Sequence, residues 1–192
     1  MPEFSSSSNP DHESGWVKPL AATFQAVSSA SVDELWRKVV NLADVSWHPL
    51  ISSTNVPNGL LPKPGLIYKA VTRFSPFPIR IFVERVDDRK LLSIRILALP
   101  GIEERVIYRV ESTVWGTRVS YSVTLKGWLS PLIWSFVRPY AARVAIALAN
   151  AAEKAANPQL LNPTSRRRSR STNTFKDLIG VALVLTGIGQ TW

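Results

Sequence analysis

Between residues 65 and 126 the chain passes through five strand-like segments in quick succession, and their spacing limits the possible folds more than any other feature. The segments are GLIYKAVTRF, PIRIFVERV, LLSIRILAL, EERVIYRVES and TRVSYSVTL, and the links between the last four include DDRK, PG and TVWG. Links this short join antiparallel neighbours and leave no room for the helices that parallel strands need. The sequence therefore predicts an antiparallel sheet built largely from hairpins.

The last two of these segments alternate clearly between apolar and polar residues. Val106, Tyr108 and Val110 fall on one face, while Arg105 and Arg109 fall on the other. In the next segment Val119, Tyr121, Val123 and Leu125 share one face in the same way. This alternation predicts a sheet with one buried face and one solvated face. In PIRIFVERV the alternation is irregular, and it assigns Glu84 to neither face.

Helical patterns flank the predicted sheet. ATFQAVSSAS reads as a first strand, SVDE at residues 31–34 is a capping box that starts a helix, and NLADVSWHP allows a second short helix ending near Pro49. Residues 130–156 predict one long helix, with Ser130 as its N-cap and Pro131 in its first turn. Its apolar stripe comprises Ile133, Phe136, Val137, Tyr140, Val144, Ala147, Leu148, Ala151 and Ala155.

These elements predict an α+β fold in which a curved antiparallel sheet of six or seven strands wraps around the long C-terminal helix. Two short helices follow the first strand. The helix stripe changes from large residues to alanines along its length. A bent sheet crossed by one tapering helix is expected to leave a cavity lined by apolar and aromatic side chains.

The two ends of the chain differ from its middle. Residues 1–20 are polar and serine-rich and are predicted to be disordered, whereas residues 21–156 form the predicted ligand-binding domain. Residues 157–174 read as a basic linker, and residues 175–192 form a short apolar C-terminal segment. The apolar run from 178 to 188 has 11 residues, whereas a spanning helix needs about 20.

Several kinds of chemistry are disfavoured by residues that the chain lacks. It has no cysteine, and no GxSxG, GxGxxG or Walker motif occurs in it. The net charge of +9 suits anionic partners, but no patch interleaves exposed aromatic and basic residues as RNA binders do. His48 is the only histidine between residues 21 and 156, and no acidic cluster lies near it. We therefore expect no metal, no cofactor and no nucleic-acid partner.

Taken in order, five segments resemble the START/polyketide cyclase/lipid-transport superfamily (SRPBCC), whose fold is called helix-grip. They are SSASVDELWRKVVNLADVSWHPLISS, PNGLLPKPGLIYKAV, FVERVDDRKLLSIRI, WGTRVSYSVTL and the terminal helix, so the resemblance covers roughly residues 21–156. It implies the helix-grip fold and a hydrophobic pocket for lipids, polyketides, hormones or isoprenoids. Some members are cyclases or aromatases, and many only bind or carry a ligand.

The resemblance implies that Trp47 packs near the mouth of the cavity. His48 beside it could act as a base oriented by Asp44, but we favour a structural role because no second catalytic group is evident. We identify no catalytic residue. The predicted ligand-binding residues are Trp47, Tyr68, Val106, Tyr108, Val119, Tyr121, Val123, Phe136, Tyr140 and Val144.

The function predicted from this reading is binding or transport of a hydrophobic small molecule in the internal cavity. The first alternative is a polyketide cyclase or dehydrase acting in the same cavity, and we rank it lower because no His, Asp or Glu set converges on the inward strand faces. The second alternative is a membrane-surface protein. Residues 164–192 carry Arg166, Arg167, Arg168 and Arg170 and are expected to bind anionic membranes weakly. We expect a cytoplasmic protein, and the oligomeric state stays open.

Overall fold

The computed structural model describes residues 19–157. The predictions made above for residues 1–18 and 158–192 therefore lie outside the described residues. Two helices and seven strands make up the described part of the chain. In order they are β1 (Leu20–Ser28), α1 (Val32–Val40), β2 (Ile51–Thr54), β3 (Ile67–Thr72), β4 (Pro78–Asp87), β5 (Leu91–Leu99), β6 (Ile102–Thr113), β7 (Gly116–Lys126) and α2 (Ser130–Ala156).

The seven strands form one curved antiparallel sheet, in the order β1-β7-β6-β5-β4-β3-β2. Strands β3 to β7 follow one another as neighbours, as the short links predicted, and β2, which was not predicted, pairs with β3. The first strand instead pairs with the last, so that Leu20 lies opposite Leu125 and Ser28 lies opposite Thr117. The predicted sheet of six or seven strands with a long C-terminal helix is confirmed.

The predicted capping box at the start of α1 is present. The Glu34 backbone N–H donates to the Ser31 hydroxyl at 3.3 Å, and the Ser31 backbone N–H donates to the Glu34 carboxylate at 2.8 Å. These two bonds satisfy donors that the first helical turn would otherwise leave unpaired.

The predicted second short helix is wrong, because residues 41–50 form turns and bends instead. Polar side chains of this segment bind the nearby backbone: the Asn41 side-chain oxygen accepts from the Asp44 N–H, and the Asp44 carboxylate accepts from the Ser46 N–H and hydroxyl. Such local bonds compete with helical backbone bonds. Pro49 further disfavours a helical conformation in the residue before it.

The long helix α2 packs its C-terminal half against β1, β7 and α1. Its buried face differs in detail from the predicted stripe and includes Ala141, Ala145, Ala149 and Ala152 beside Val144 and Leu148. The predicted cap is also wrong, because Leu129 is the N-cap and the Ser130 hydroxyl donates to the Gly127 carbonyl at 2.5 Å. The helix is long and apolar enough to cross a bilayer, a test that core helices of soluble proteins pass as well.

A bulge in β4 explains why the sequence assigned Glu84 to neither face. The pairing register between β4 and β5 shifts between Val83 and Arg85, so the alternation restarts there. Glu84 lies on the face of the sheet opposite the core. Its carboxylate forms ion pairs there with Arg95 of β5 and Arg105 of β6.

Candidate functional site

The inner face of the sheet carries an aromatic and aliphatic surface that α2 partly covers. Its central members are the alternating residues of β6 and β7, which are almost fully buried as predicted. They are Val106, Tyr108, Val110, Val119, Tyr121, Val123 and Leu125. Tyr68 of β3 and Val144 of α2 belong to the same buried cluster. Seven of the ten predicted ligand-binding residues therefore lie together: Tyr68, Val106, Tyr108, Val119, Tyr121, Val123 and Val144.

The side chain of His48 is buried and fixed by hydrogen bonds on both ring nitrogens. Nδ1 accepts the backbone N–H groups of Leu50 and Ile51 at 3.1 and 3.2 Å, and Nε2 lies 3.1 Å from the Tyr108 hydroxyl. Since Nδ1 accepts, this pattern assigns the proton to Nε2, which donates to the Tyr108 oxygen. The histidine thus ties the loop before β2 to the middle of β6.

The same surroundings keep His48 neutral. Burial and, secondarily, the positive charge of Arg73 lower the pKa of His48 to about 3. A general base must have a free lone pair, but here Nδ1 is occupied by two backbone donors and Nε2 carries the proton. Asp44 does not orient the ring, because its carboxylate binds Lys38 and Ser46. His48 is therefore placed to hold a tyrosine hydroxyl, and it is not placed to remove a proton.

Three tyrosines share the inner face. The rings of Tyr108 and Tyr121 lie 5.1 Å apart between centroids, at the paired positions of β6 and β7. Burial raises the pKa of Tyr68, Tyr108 and Tyr121, so all three stay protonated at neutral pH. Because the Tyr108 oxygen accepts from His48, its own proton is available for another acceptor.

Glu104 is the residue that sequence reasoning missed. It lies two residues before Val106 on β6, opposite Ile96 of β5 and Leu125 of β7, and both of these partners are buried. Burial raises the pKa of Glu104 to about 7. Its charge also contributes to the raised pKa values of Tyr108 and Tyr121, after burial and the neighbouring tyrosine.

Glu104 is thus an acidic residue on an inward strand face, where the sequence predicted no convergent set of His, Asp or Glu residues. The signal for Glu104 was present in the sequence, because Glu104, Val106, Tyr108 and Val110 have the same parity on one strand. We call His48, Glu104, Tyr108 and Tyr121 the inner polar cluster.

Trp47 is half-buried and its ring lies 5.1 Å from the His48 ring between centroids. Its indole Nε1 is buried and has no hydrogen-bond partner among residues 19–157. Buried donors are normally paired. Trp47 therefore offers a further donor beside the inner polar cluster.

Phe136 lies outside the buried inner face, because 69% of its surface is exposed. At 100° per residue Phe136 lies roughly 80° around the helix axis from Val144, outside the buried face. Tyr140 is half-buried, and its ring meets Phe74 edge-on with the centroids 4.6 Å apart. Both residues therefore belong to the border of the inner face.

No group of three or more potential metal ligands occurs in the part of the chain that the structure describes. A cleft of about 150 Å³ lies elsewhere, between α1 and the end of α2, and is lined by Glu34, Arg37, Lys38, Asn41 and Ala155. It is open and contains none of the inner polar cluster, so we do not assign the ligand to it.

Replacing Tyr108 by phenylalanine is expected to lower the free energy of unfolding by about 1–2 kcal/mol, because the buried Nε2–H of His48 loses its acceptor. Urea denaturation at neutral pH measures this. Tyr121→Phe is the matched control, since that hydroxyl forms no hydrogen bond with another described residue. Equal losses in the two variants would contradict the assigned bond.

Comparisons with solved structures show the same architecture in proteins of low sequence identity. The structure of Ara h 8.0201 aligns with a TM-score of 0.55 at 15% identity, covering 70% of this chain and 98% of that chain. The di-domain ARO/CYC StfQ from the steffimycin biosynthetic pathway aligns with a TM-score of 0.57 at 10% identity, covering 74% of this chain and 52% of that chain. The di-domain ARO/CYC BexL from the BE-7585A biosynthetic pathway gives 0.55 at 16% identity, with 71% and 49% covered.

No protein-family profile matches the sequence, and no curated protein matches it either. Identities of 10–16% establish the fold alone. The chain therefore has the helix-grip fold, and the resemblance to the START/polyketide cyclase/lipid-transport superfamily is confirmed at the level of that fold.

Proposed function

We propose that this protein binds an apolar small molecule with one polar end, which lies on the inner face of the sheet. The observation that carries the proposal is the carboxyl of Glu104 among otherwise apolar and aromatic residues. No charged or hydrogen-bonding partner offsets the desolvation of Glu104 among the described residues, although a largely desolvated carboxyl is normally paired or hydrogen-bonded. A ligand group would supply that partner.

The surroundings of Glu104 fit a recess better than a filled core. Its side chain retains some accessible surface, yet the residues opposite it on both neighbouring strands are buried. The hydroxyl proton of Tyr108 and the indole N–H of Trp47 are further donors near the inner polar cluster. A ligand with an apolar body and an oxygen- or nitrogen-containing end matches this arrangement.

An enzyme of the polyketide cyclase or dehydrase class is the second candidate, and Glu104 is what favours it. A carboxyl whose burial raises its pKa to about 7 can give or take a proton at neutral pH. Binding remains the better-supported proposal, because His48 is held neutral by its hydrogen bonds and does not provide a second acid or base. Both candidate functions use the same residues, and they differ only in whether Glu104 transfers a proton.

The first experiment identifies the ligand. Native mass spectrometry of the protein purified from its own host, followed by organic extraction, is expected to reveal a bound apolar molecule. An apolar fluorescent probe such as a naphthalene sulfonate should bind the emptied protein and be displaced by the extract. Failure of the probe and the extract to bind would contradict the proposal.

Filling the recess is the complementary test. Val106→Phe places a larger side chain beside Glu104 and is expected to abolish probe binding. In a close-packed core the same change would cost about 1–3 kcal/mol of folding free energy, so in a recess we expect a smaller loss. The matched control is Ile107→Phe, on the opposite face of β6. Strong destabilisation by Val106→Phe alone, in a parent protein that takes up no probe, would mean that the inner face is filled.

A further inference from the structure

One end of the fold exposes a set of large apolar side chains. Strands β3, β5 and β7 all end there. The β3–β4 loop, the β5–β6 turn and the link to α2 therefore lie at the same end of the antiparallel sheet. Between 57% and 76% of each side chain in the set is exposed. We call the set the apolar rim: Phe74, Phe77, Trp128, Leu132 and Phe136.

Residues next to the apolar rim link parts of it. Phe74 packs edge-on against Tyr140, which lies one helical turn from Phe136, and Phe136 lies one turn from Leu132. The Trp128 indole lies against Gly101 of the β5–β6 turn. The rim therefore borders the inner face on the helix side and on the loop side. Exposed apolar residues grouped in this way mark interaction sites.

Positive charges predominate near the apolar rim, where Glu103 of β6 lies opposite Lys126 and close to Arg95 and Arg105. The chain has no acidic residue between Asp44 and Glu84, and none between Glu111 and Glu153, and these two segments contain every rim residue. The exposed basic residues Arg73, Arg80, Lys126, Arg138 and Arg143 lie in the same two segments. Arg143 lies seven residues after Phe136, on the same face of α2.

We propose that the apolar rim inserts into the surface of an anionic lipid bilayer, with the surrounding basic residues on the lipid headgroups. A basic border around exposed aromatic residues complements such a surface both in charge and in polarity. A second copy of the protein and the chain's own apolar segment are the two other candidate occupants, and both would bring positive charge to the rim. A second copy would bring the same basic residues to the contact, and the chain's own segment 178–188 follows four arginines.

This docking would turn the border of the inner face toward the membrane. It goes beyond the proposed ligand binding, because the rim residues are exposed and outside the inner polar cluster. Either property can fail while the other holds. The prediction that residues 164–192 associate weakly with anionic membranes is separate as well, and the test below distinguishes the two surfaces.

Flotation of the full-length protein with vesicles is the experiment. Vesicles contain phosphatidylcholine alone or phosphatidylcholine with phosphatidylserine, at low and at high salt. The rim variant is Phe77→Ser with Phe136→Ser. Its matched control is Trp115→Ser, which removes an 86% exposed aromatic residue from the β6–β7 turn at the opposite end of the sheet. The tail variant replaces Arg166, Arg167, Arg168 and Arg170 by glutamine.

We expect the parent and Trp115→Ser to bind the anionic vesicles equally and the rim variant to bind at least about tenfold more weakly, because each phenylalanine loses its apolar insertion. The tail variant should keep the rim-dependent part of the binding. High salt should weaken the parent, since each basic residue near the surface contributes roughly fivefold to affinity.

Four outcomes would overturn the proposal. They are a parent that ignores anionic vesicles, a rim variant that binds like the parent, equal losses in the rim variant and in Trp115→Ser, and resistance to alkaline carbonate, which would mean that α2 crosses the bilayer. Size-exclusion chromatography of the same variants tests for self-association. A parent oligomer that is lost in the rim variant would show that the rim binds a second copy. Probe binding to the rim variant shows whether the inner face is intact.

Discussion

Replacing Glu104 by glutamine will raise the free energy of unfolding by about 3 kcal/mol more at pH 8 than at pH 4. The reason is that folding raises the pKa of this carboxyl from 4.5 to about 7. Between these two pKa values the folded protein holds a proton that the unfolded chain has released. The parent therefore loses stability as the pH rises through this window. Glutamine does not titrate, so this loss disappears in the variant.

Urea denaturation across pH 4 to 8 measures the effect as the difference between the two stability curves. Glu103→Gln is the matched control, because the neighbouring residue on the opposite face of β6 lies close to Arg95 and Arg105. Parallel curves for the parent and Glu104→Gln would show that the carboxyl is solvated, and the ligand proposal would lose its main support. Added ligand should reduce the difference if it pairs with the ionised carboxyl.

Acidification will remove about 3 kcal/mol of folding stability through His48 by pH 4, since its folded pKa of about 3 lies far below the ordinary histidine pKa of 6.5. Above pH 6.5 both states are neutral, and the stabilisation is fully present. As the pH falls the unfolded chain takes up a proton that the folded protein cannot accept. Stability is then lost progressively down to about the folded pKa.

The variant His48→Gln is expected to be less stable than the parent at neutral pH, because it loses acceptors and donors for buried groups. It is also expected to lack this part of the acid dependence. His12→Gln removes the only other histidine and should leave the acid dependence of the parent unchanged. An acid slope in His48→Gln as steep as in the parent would contradict the buried neutral histidine. Circular dichroism during urea titrations at several pH values gives both curves.

The parts of the fold that the sequence predicted were those governed by local patterns. Alternation placed Tyr108 and Tyr121 on the inner face, and the Ser31–Glu34 spacing marked the start of α1. The prediction of a second short helix was wrong because the side chains of Asn41 and Asp44 bind the nearby backbone. A propensity argument does not weigh that competition.

The candidate site was only partly predictable because its polar members depend on tertiary contacts. The hydrogen bond from His48 to Tyr108 joins residues 60 positions apart, and no local pattern indicates it. Glu104 has the same parity along β6 as the inward-facing residues. Carboxyl groups are usually solvated, however, so the alternation alone did not place Glu104 on the inner face. For Phe136, a helix stripe drawn too wide included a residue at its exposed border.

The pairing of β1 with β7 has a consequence for how the protein is made. β1 ends at Ser28 and its partner begins at Gly116, so the ribosome must add roughly 100 more residues, about 5–20 s of synthesis, before the two strands can meet. Until then only β2 to β6 can pair as near neighbours, and closing so long a loop is entropically slow. The helix that covers β1 is made later still. The first strand is therefore the segment of the nascent chain that depends longest on protection from aggregation, and substitutions that increase its hydrophobicity should reduce soluble yield before they alter the finished fold.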